Sequence, residues 1–371
     1  MRRWLLVIPA LVVLALGAVI ASNLGGGSSS PHSSSLPAVG TAIPTDYRVV
    51  YEITTPDSTT TEEHIVHRPF GAEVIERDHN GTVTAERWSA IGELVTRAAG
   101  ARAVRLETAI APSYGDERPD VFADDLVKVG RLTAGSPGQV GGRACTRTTQ
   151  PQKVVTQGGV TATPGTSGTF PANVTSCADR QGIVLEERWA SPGGTTLLTK
   201  RATQLQIGSG VPAIVIPSAD PVPAGQGNGA VRKVADDQAI TFPETFHLTP
   251  PSGFTFIGRY AVVPARVAAA GASLPTDAGV ALYTDVWRRG PDVLMLDQGA
   301  TTTGSAPFDA KTALGTIEVP NIGTATVAVE LRLAEVRFIR PHGGFARLAG
   351  TVPPKDLVAI ADTLTVGTTP P

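Results

Sequence analysis

The chain has 371 residues and a formal net charge of −2, with 31 Lys and Arg against 33 Asp and Glu residues. A near-neutral chain without a basic stripe is a poor partner for a polyanion, so the composition excludes nucleic-acid binding as the main function. The length allows two domains.

An unbroken apolar segment runs from Trp4 to Ala21, directly after two arginines. At ~1.5 Å per residue it nearly spans a hydrocarbon core of ~30 Å, so we predict one transmembrane helix within residues 1–22. The positive-inside bias then places the rest of the chain outside the cytoplasm. The alternative is a cleaved secretory signal, because residues 19–21 suit a signal peptidase, and the protein is then secreted or periplasmic.

Residues 23–45 are rich in Gly, Ser and Pro, which predicts a flexible linker between the membrane and the first folded domain. We place that domain at residues 46–207. Short segments of alternating apolar and polar residues predict its strands. Asn80–Gly81, and the turn at residues 191–194, predict two hairpins.

A short helix is predicted within residues 120–129, with acidic residues in its first turns. The two cysteines of the chain are Cys145 and Cys177. In an exported chain the default is a disulfide, and two free thiols are the alternative.

Residues 208–238 are rich in Gly and Pro, which predicts an inter-domain linker. The second domain is placed at residues 239–366, followed by a tail at residues 367–371. Leu357 and the apolar residues three, four and seven positions later form one stripe of a short helix. The predicted fold class is α+β, mostly antiparallel β, with a curved half-barrel domain followed by a smaller sheet-plus-helix domain.

No catalytic signature is found, so we do not expect an enzyme, and no cofactor or metal is implied. His64 and His67 lie three apart on a predicted strand and therefore point to opposite faces, which favours solvent-facing polar residues over a metal site that includes His79. The glycine-rich residues 225–229 lack the strand and helix that a nucleotide loop needs. The acidic pair Asp124–Asp125 lacks the alternating oxygen ligands of a calcium loop.

A curved antiparallel sheet with aromatic and branched residues on its inner face would form an apolar hollow suited to a lipid tail or an amphipathic segment. The residues predicted to line it are Tyr47, Val49, Tyr51, Ile53, Ile65, Val74, Trp88, Leu106 and Leu185. The alternative is a closed core that the short helix near Phe122 fills.

The order of several short motifs resembles two families. The first domain resembles LolA-type envelope lipoprotein carriers and sensors in residues 140–143 and in residues 178–189. The second domain resembles the C-terminal part of MucB/RseB sigma-factor regulators. Its motifs are Pro251–Phe254, Leu282–Asp285 and Leu348–Pro353 followed by the helix that contains Ile360 and Ala361. The loop at residues 150–175 and a retained anchor depart from these families.

The resemblance implies a half-barrel that holds a lipid or lipopeptide and a smaller domain that contacts an anti-sigma-type membrane protein. We therefore predict an extracytoplasmic envelope sensor or regulator. Two alternatives remain open: a lipid or lipoprotein carrier without a regulatory role, and a non-catalytic structural or interaction module of the cell envelope.

Overall fold

A computed structural model describes residues 35–107, 110, 119–151, 155–157, 160–162, 173–221, 229–236, 242, 244–264, 282–300, 312–330, 333–339 and 344–368. These residues form two large sheets, two two-stranded sheets and two helices. The fold is therefore mostly antiparallel β with large open curved sheets, as predicted.

The first large sheet has twelve strands. In chain order they are β1 (Asp46–Thr54), β2 (Thr59–His67), β3 (Gly71–Arg77), β4 (Val83–Ala90), β5 (Glu93–Ala98), β6 (Val104–Glu107), β7 (Ser136–Val140), β8 (Arg143–Pro151), β11 (Asn173–Ala178), β12 (Val184–Ala190), β13 (Thr196–Ile207) and β14 (Asp220–Pro221). Across the sheet the order is β14-β6-β5-β4-β3-β2-β1-β13-β12-β11-β8-β7, with only the β14–β6 pair parallel. A separate pair consists of β9 (Val155–Gln157) and β10 (Val160–Ala162).

Local sequence explains the two predicted hairpins. Gly81 joins β3 to β4 with φ +81°, and Gly194 joins β12 to β13 with the same φ. A residue with a side chain rarely adopts this left-handed conformation, so glycine is needed there. Both hairpin predictions are confirmed.

The second large sheet has eight antiparallel strands. They are β15 (Gly229–Val234), β17 (Thr255–Pro264), β18 (Leu282–Arg289), β19 (Asp292–Ala300), β20 (Ala313–Val319), β21 (Gly323–Val329), β22 (Ala334–Ile339) and β23 (Gly344–Gly350). The spatial order is β15-β17-β18-β19-β23-β22-β21-β20. β16 (Glu244–His247) and β24 (Thr365–Thr368) form a separate two-stranded sheet.

Two helices cover one face of the second sheet. They are α1 (Pro119–Lys128) and α2 (Pro354–Ala361), and α2 begins with proline in its first turn, as predicted. Phe122 and Leu126 of α1 and Leu357 of α2 are fully buried in one apolar core with the second-sheet residues Leu294, Leu296, Val336 and Leu348. The suggestion that the helix near Phe122 fills the first sheet is therefore wrong.

The opposite face of the second sheet contacts the first domain. Phe70 and Ile110 of the first domain pack with Tyr260, Val286 and Met295 of the second sheet. The two sheets are thus joined by an apolar interface as well as by α1.

The predicted linkers are largely part of the fold. Leu36 is buried with Tyr47, and the carbonyl groups of residues 37–40, 42, 44 and 45 accept hydrogen bonds from Arg68, Arg143, Arg180 and Gln181. The flexible-linker prediction is therefore wrong for residues 36–45. Ile214 and Ile216 pack on the first sheet, and β14 and β15 extend the two sheets. Within residues 208–238, β14 therefore belongs to the first large sheet and β15 to the second, so the second sheet begins before residue 239.

Cys145 and Cys177 form a disulfide, as predicted, with 5.4 Å between their Cα atoms. The predicted transmembrane segment lies outside the described residues. Within them, neither α1 nor α2 has the length and apolar character to span a bilayer.

The position of α1 gives a first prediction. Replacing Phe122 by Ala should lower the free energy of unfolding by ~3–5 kcal/mol, because the truncation leaves a cavity in the core of the second sheet. Urea unfolding followed by circular dichroism measures this change. Asp124→Ala on the exposed side of the same helix is the matched control, and equal stability of the two variants would contradict the assigned packing of α1.

Candidate functional site

The register of the first sheet separates the predicted ligand-binding residues between two faces. Residues directly opposite each other on paired strands share a face. Val49 pairs with His64, which pairs with Val74, whereas Ile65 pairs with Glu73, which pairs with Trp88. We name the two surfaces the Tyr47 face and the Trp88 face.

Seven of the nine predicted residues lie on the Tyr47 face, and two do not. Those on the Tyr47 face are Tyr47, Val49, Tyr51, Ile53, Val74, Leu106 and Leu185. Ile65 and Trp88 lie on the opposite face, where Ile214 and Ile216 help to bury Trp88. The prediction that all nine share one hollow is therefore wrong for Ile65 and Trp88, because each occupies the other phase of the period-two alternation.

One end of the Tyr47 face is closed by the chain itself. Tyr47, Val49 and Tyr51 are 2%, 0% and 4% exposed. They pack in one cluster with Leu36 and Ile183. In this arrangement a ligand cannot contact Tyr47 or Val49 unless the covering residues move.

The other end of the same face is more open. Ile53, at the end of β1, is half-buried, and so are Leu198 of β13, Trp189 of β12 and Val174 of β11. Leu198 lies opposite Trp189, which lies opposite Val174, so these side chains form a row across three strands. We name these three residues together with Ile53 the apolar row. The apolar row is the accessible apolar part of the Tyr47 face at this end.

Between the closed end and the apolar row lies a buried charged cluster that the sequence analysis missed. Glu62 accepts hydrogen bonds from His64 Nε2 and Lys200 Nζ. The Lys200 ammonium lies 4.4 Å from the centre of the Tyr51 ring, and the His64 ring meets Tyr51 edge-on at 5.1 Å. The Tyr51 hydroxyl donates to the Val184 carbonyl at 2.7 Å.

Burial and neighbouring charges set the protonation of this cluster. Burial, together with the charge of Lys200, lowers the pKa of His64 to about 4, against the attraction of Glu62. Burial alone would raise the pKa of Glu62, but His64 and Lys200 hold it well below its usual range. Near neutral pH Glu62 is therefore a carboxylate and His64 a neutral imidazole.

The prediction that these histidines face solvent is wrong for His64, which is 3% exposed. His67 does lie on the opposite face, half-buried, with Nδ1 2.5 Å from Asp46 Oδ1 and Nε2 2.8 Å from the Pro212 carbonyl. The signal that could have identified the cluster is the alternation of Glu62, His64 and Val66. This row matches Tyr51, Val49 and Tyr47 across the pair β1–β2.

A second concave region lies on the Trp88 face, at the end of β8, β11 and β12. It has a volume of about 380 Å³. Its lining contains no large apolar side chain and consists of Thr133, Thr149, Asn173, Thr175, Arg188, Ala190 and Gly194. Because it is shallow and lacks an apolar wall, it does not suit an acyl chain.

The remaining sequence candidates bring no further chemistry. Asp125 pairs with Lys128 on the surface of α1. No group of metal-binding side chains is found in the part of the chain that the structure describes. The glycine-rich residues 225–228 lie outside that part.

Comparison with known proteins gives structural matches only. No family model and no curated protein matches the chain. The solved MucA/MucB complex of Pseudomonas aeruginosa matches at 13% identity over 87% of this chain and 94% of that chain, with a TM-score of 0.29. A LolA-superfamily protein of Nitrosomonas europaea matches at 6% identity over 83% of this chain and 84% of that chain, with a TM-score of 0.19.

A third match is a putative outer membrane lipoprotein-sorting protein domain of Vibrio parahaemolyticus. It has 11% identity over 45% of this chain and 87% of that chain, with a TM-score of 0.21. Two of these matches carry the names of the families that the sequence motifs resemble. All three TM-scores lie below 0.5, so these matches assign no function to this chain.

The charged cluster gives a second prediction, on pH dependence. The pKa of His64 is about 4 in the folded protein and near its ordinary value of ~6.5 in the unfolded chain, so unfolding takes up a proton between these values. The free energy of unfolding should therefore decrease as the pH falls from about 6.5 to 4, by at most ~1.4 kcal/mol per pH unit from this residue. The lowered pKa of Glu62 adds a loss in the same direction below about pH 4.5.

Urea unfolding between pH 7 and pH 4.5 measures this slope, and the His64→Gln variant should show a flatter one. His79→Gln is the control, because His79 is exposed. Identical slopes for the wild type and the His64 variant would contradict a neutral, buried His64.

Proposed function

We propose that this protein is a non-catalytic, extracytoplasmic binding protein of the cell envelope, held at the membrane by residues 1–22. Its first domain binds the acyl part of a lipid or lipopeptide on the Tyr47 face. Its second domain contacts a membrane protein of the anti-sigma type, which makes the protein an envelope sensor or regulator. The resemblance of the sequence motifs supports the assignment to envelope binding proteins. The geometry of the Tyr47 face supports an acyl chain as the ligand.

The single observation that carries the proposal is the apolar row. Half-buried Trp189, Leu198 and Ile53 lie together on the Tyr47 face, where they leave part of their apolar surface accessible. Clustered apolar groups of this kind are typical of surfaces that bind apolar ligands. The adjacent Lys200 pairs with Glu62, so an anionic or carbonyl head group would have to compete with that carboxylate for the ammonium.

Of the predicted ligand-binding residues, those on the Tyr47 face belong to the proposed site. Ile53 and Leu106 are half-buried and can contact a ligand directly. Tyr47, Val49, Tyr51, Val74 and Leu185 can do so only after a rearrangement, because they are buried. Ile65 and Trp88 are not part of the proposed site.

The burial of Tyr47, Val49 and Tyr51 favours a second candidate, a structural or interaction module whose apolar residues are only core. A carrier without a regulatory role would share the apolar row but would release its ligand to an acceptor. The first experiment therefore asks whether an acyl chain reaches the apolar row at all.

The third prediction is that acyl chains contact β12 and β13. The full chain is reconstituted in phosphatidylcholine–phosphatidylglycerol vesicles that carry a photoactivatable acyl chain, and crosslinked peptides are mapped by mass spectrometry. We expect crosslinks at Trp189 and Leu198 in addition to those in residues 4–21, which serve as the internal reference for incorporation.

Leu198→Glu should reduce the crosslinks in β12 and β13 about tenfold or more, because burial of a leucine-sized group contributes ~1.5–3 kcal/mol. Val215→Glu is the matched control, since Val215 is 76% exposed and lies outside the Tyr47 face. Crosslinks confined to residues 4–21 would overturn the binding proposal and favour the closed module.

A further inference from the structure

Residues 36–45, which we name the N-terminal strap, cross the closed end of the Tyr47 face. Leu36 is 7% exposed and is the one fully buried side chain of the strap. It packs in the cluster that contains Tyr47, Val140 and Ile183. An apolar side chain of the strap therefore occupies the end of the face that a ligand cannot reach.

The strap is held mainly through its carbonyl groups, and most of the donors are side chains. Arg143 Nη1 donates to the Pro37 and Ala38 carbonyls at 2.7 and 2.9 Å. Arg180 donates to the Val39 and Gly40 carbonyls, both at 3.0 Å. No residue of the described strap belongs to a strand of the sheet.

Two more side chains continue this row of donors. Gln181 Nε2 donates to the Ala42 carbonyl, and Arg68 Nη1 donates to the Pro44 carbonyl at 3.1 Å. Two backbone hydrogen bonds also hold the strap. The Leu36 N–H group donates to the Gly141 carbonyl, and the Arg68 N–H group donates to the Thr45 carbonyl, both at 2.7 Å. Each of these contacts can be exchanged for water without opening a strand pair.

The surface beneath the strap is already organised. Arg143 and Asp179 form a fully buried ion pair, with Arg143 Nε 2.6 Å from Asp179 Oδ2. Asp179 Oδ1 also accepts from the backbone N–H groups of Gln181 and Ile183. The guanidinium of Arg143 is thus fixed by Asp179 and Gln181, and its Nη1 group is directed at the strap carbonyls.

We propose that the strap is a displaceable cover, and that an acyl ligand with an acceptor oxygen at its head competes with it for this end of the Tyr47 face. The acyl chain replaces Leu36 beside Tyr47 and Val140. The head oxygen, from a carboxylate or from a phospholipid ester or phosphate, replaces the Pro37 and Ala38 carbonyls on Arg143. The inference rests on the proposed function, since it extends the same face from the apolar row to its closed end.

The strap also joins the site to the predicted membrane segment. Only 14 residues separate Ala21 from Leu36, so an extended connection spans at most ~50 Å. Ligand entry beneath the strap would release residues 36–45 and lengthen the connection between membrane and first domain. Ligand binding would in this way change the distance that the first domain can reach from the membrane.

The experiment uses the full chain in vesicles, with two separate probes: a photoactivatable fatty acid and a photoactivatable phosphatidylglycerol. Arg180→Ala removes two strap contacts from an exposed residue of a turn, and Leu36→Ser removes the buried anchor. Arg188→Ala, at an exposed arginine of β12 without contact to the strap, is the matched control.

We expect both strap variants to raise the crosslink yield at β1 residues 47–49 and at residues 183–185 at least fivefold over the wild type. We expect no change for the control. The probe that shows the increase identifies the head group as a carboxylate or a phospholipid. In wild-type protein, hydrogen exchange of the Leu36 amide should accelerate at least tenfold when that probe is added, since the amide loses its bond to Gly141.

The outcomes separate the two proposals. Crosslinks at Trp189 and Leu198 without an increase at residues 47–49 in either strap variant would overturn the displaceable strap and leave the proposed function intact. Crosslinks absent from the whole first domain in every variant would overturn both. Unchanged exchange of the Leu36 amide, with crosslinks at residues 47–49 in the wild type, would overturn competition because both occupants would then bind together.

Discussion

The register of β1 against its two neighbours is the constraint on which the rest of the first domain depends. β1 is a central strand that pairs with β2 on one side and β13 on the other. Because alternate residues point to opposite faces, this register places the two tyrosines and Val49 beneath the N-terminal strap. It also brings Glu62 and His64 from β2 and Lys200 from β13 to one point. A shift of β1 by one residue would turn Tyr47, Val49 and Tyr51 to the Trp88 face and away from this cluster.

Short-range patterns in the sequence predicted the antiparallel strands and the glycine turns, because alternation and positive φ are properties of a few neighbouring residues. Tyr47, Val49, Tyr51 and Ile53 do share a face for this reason. β7 escaped prediction because its Pro137 and Gly138 are poor strand formers, and the pairing with β8 overrides that preference. β16 is only four residues long and shows no clear period.

Contacts between segments far apart in the chain could not be predicted from the sequence. Whether Ile65 joins Val49 depends on register, which an isolated strand does not specify. The buried cluster depends on Lys200 meeting Glu62 across 138 positions of the chain. The strap escaped prediction for a similar reason: its own residues resemble a linker, and the groups that hold it are Arg68, Arg143 and Arg180, far along the chain.

The helix α1 has a consequence for how the molecule can be divided. It lies in the chain between β6 and β7 of the first sheet, yet Phe122 and Leu126 complete the core of the second sheet. The two halves are therefore interleaved: a cut between the sheets would remove α1 from the core of the second sheet and expose Phe70 and Ile110. In such an architecture the two sheets form one cooperative unit. A structural change in one sheet can therefore reach the other through the chain at α1 and through the apolar interface between the sheets.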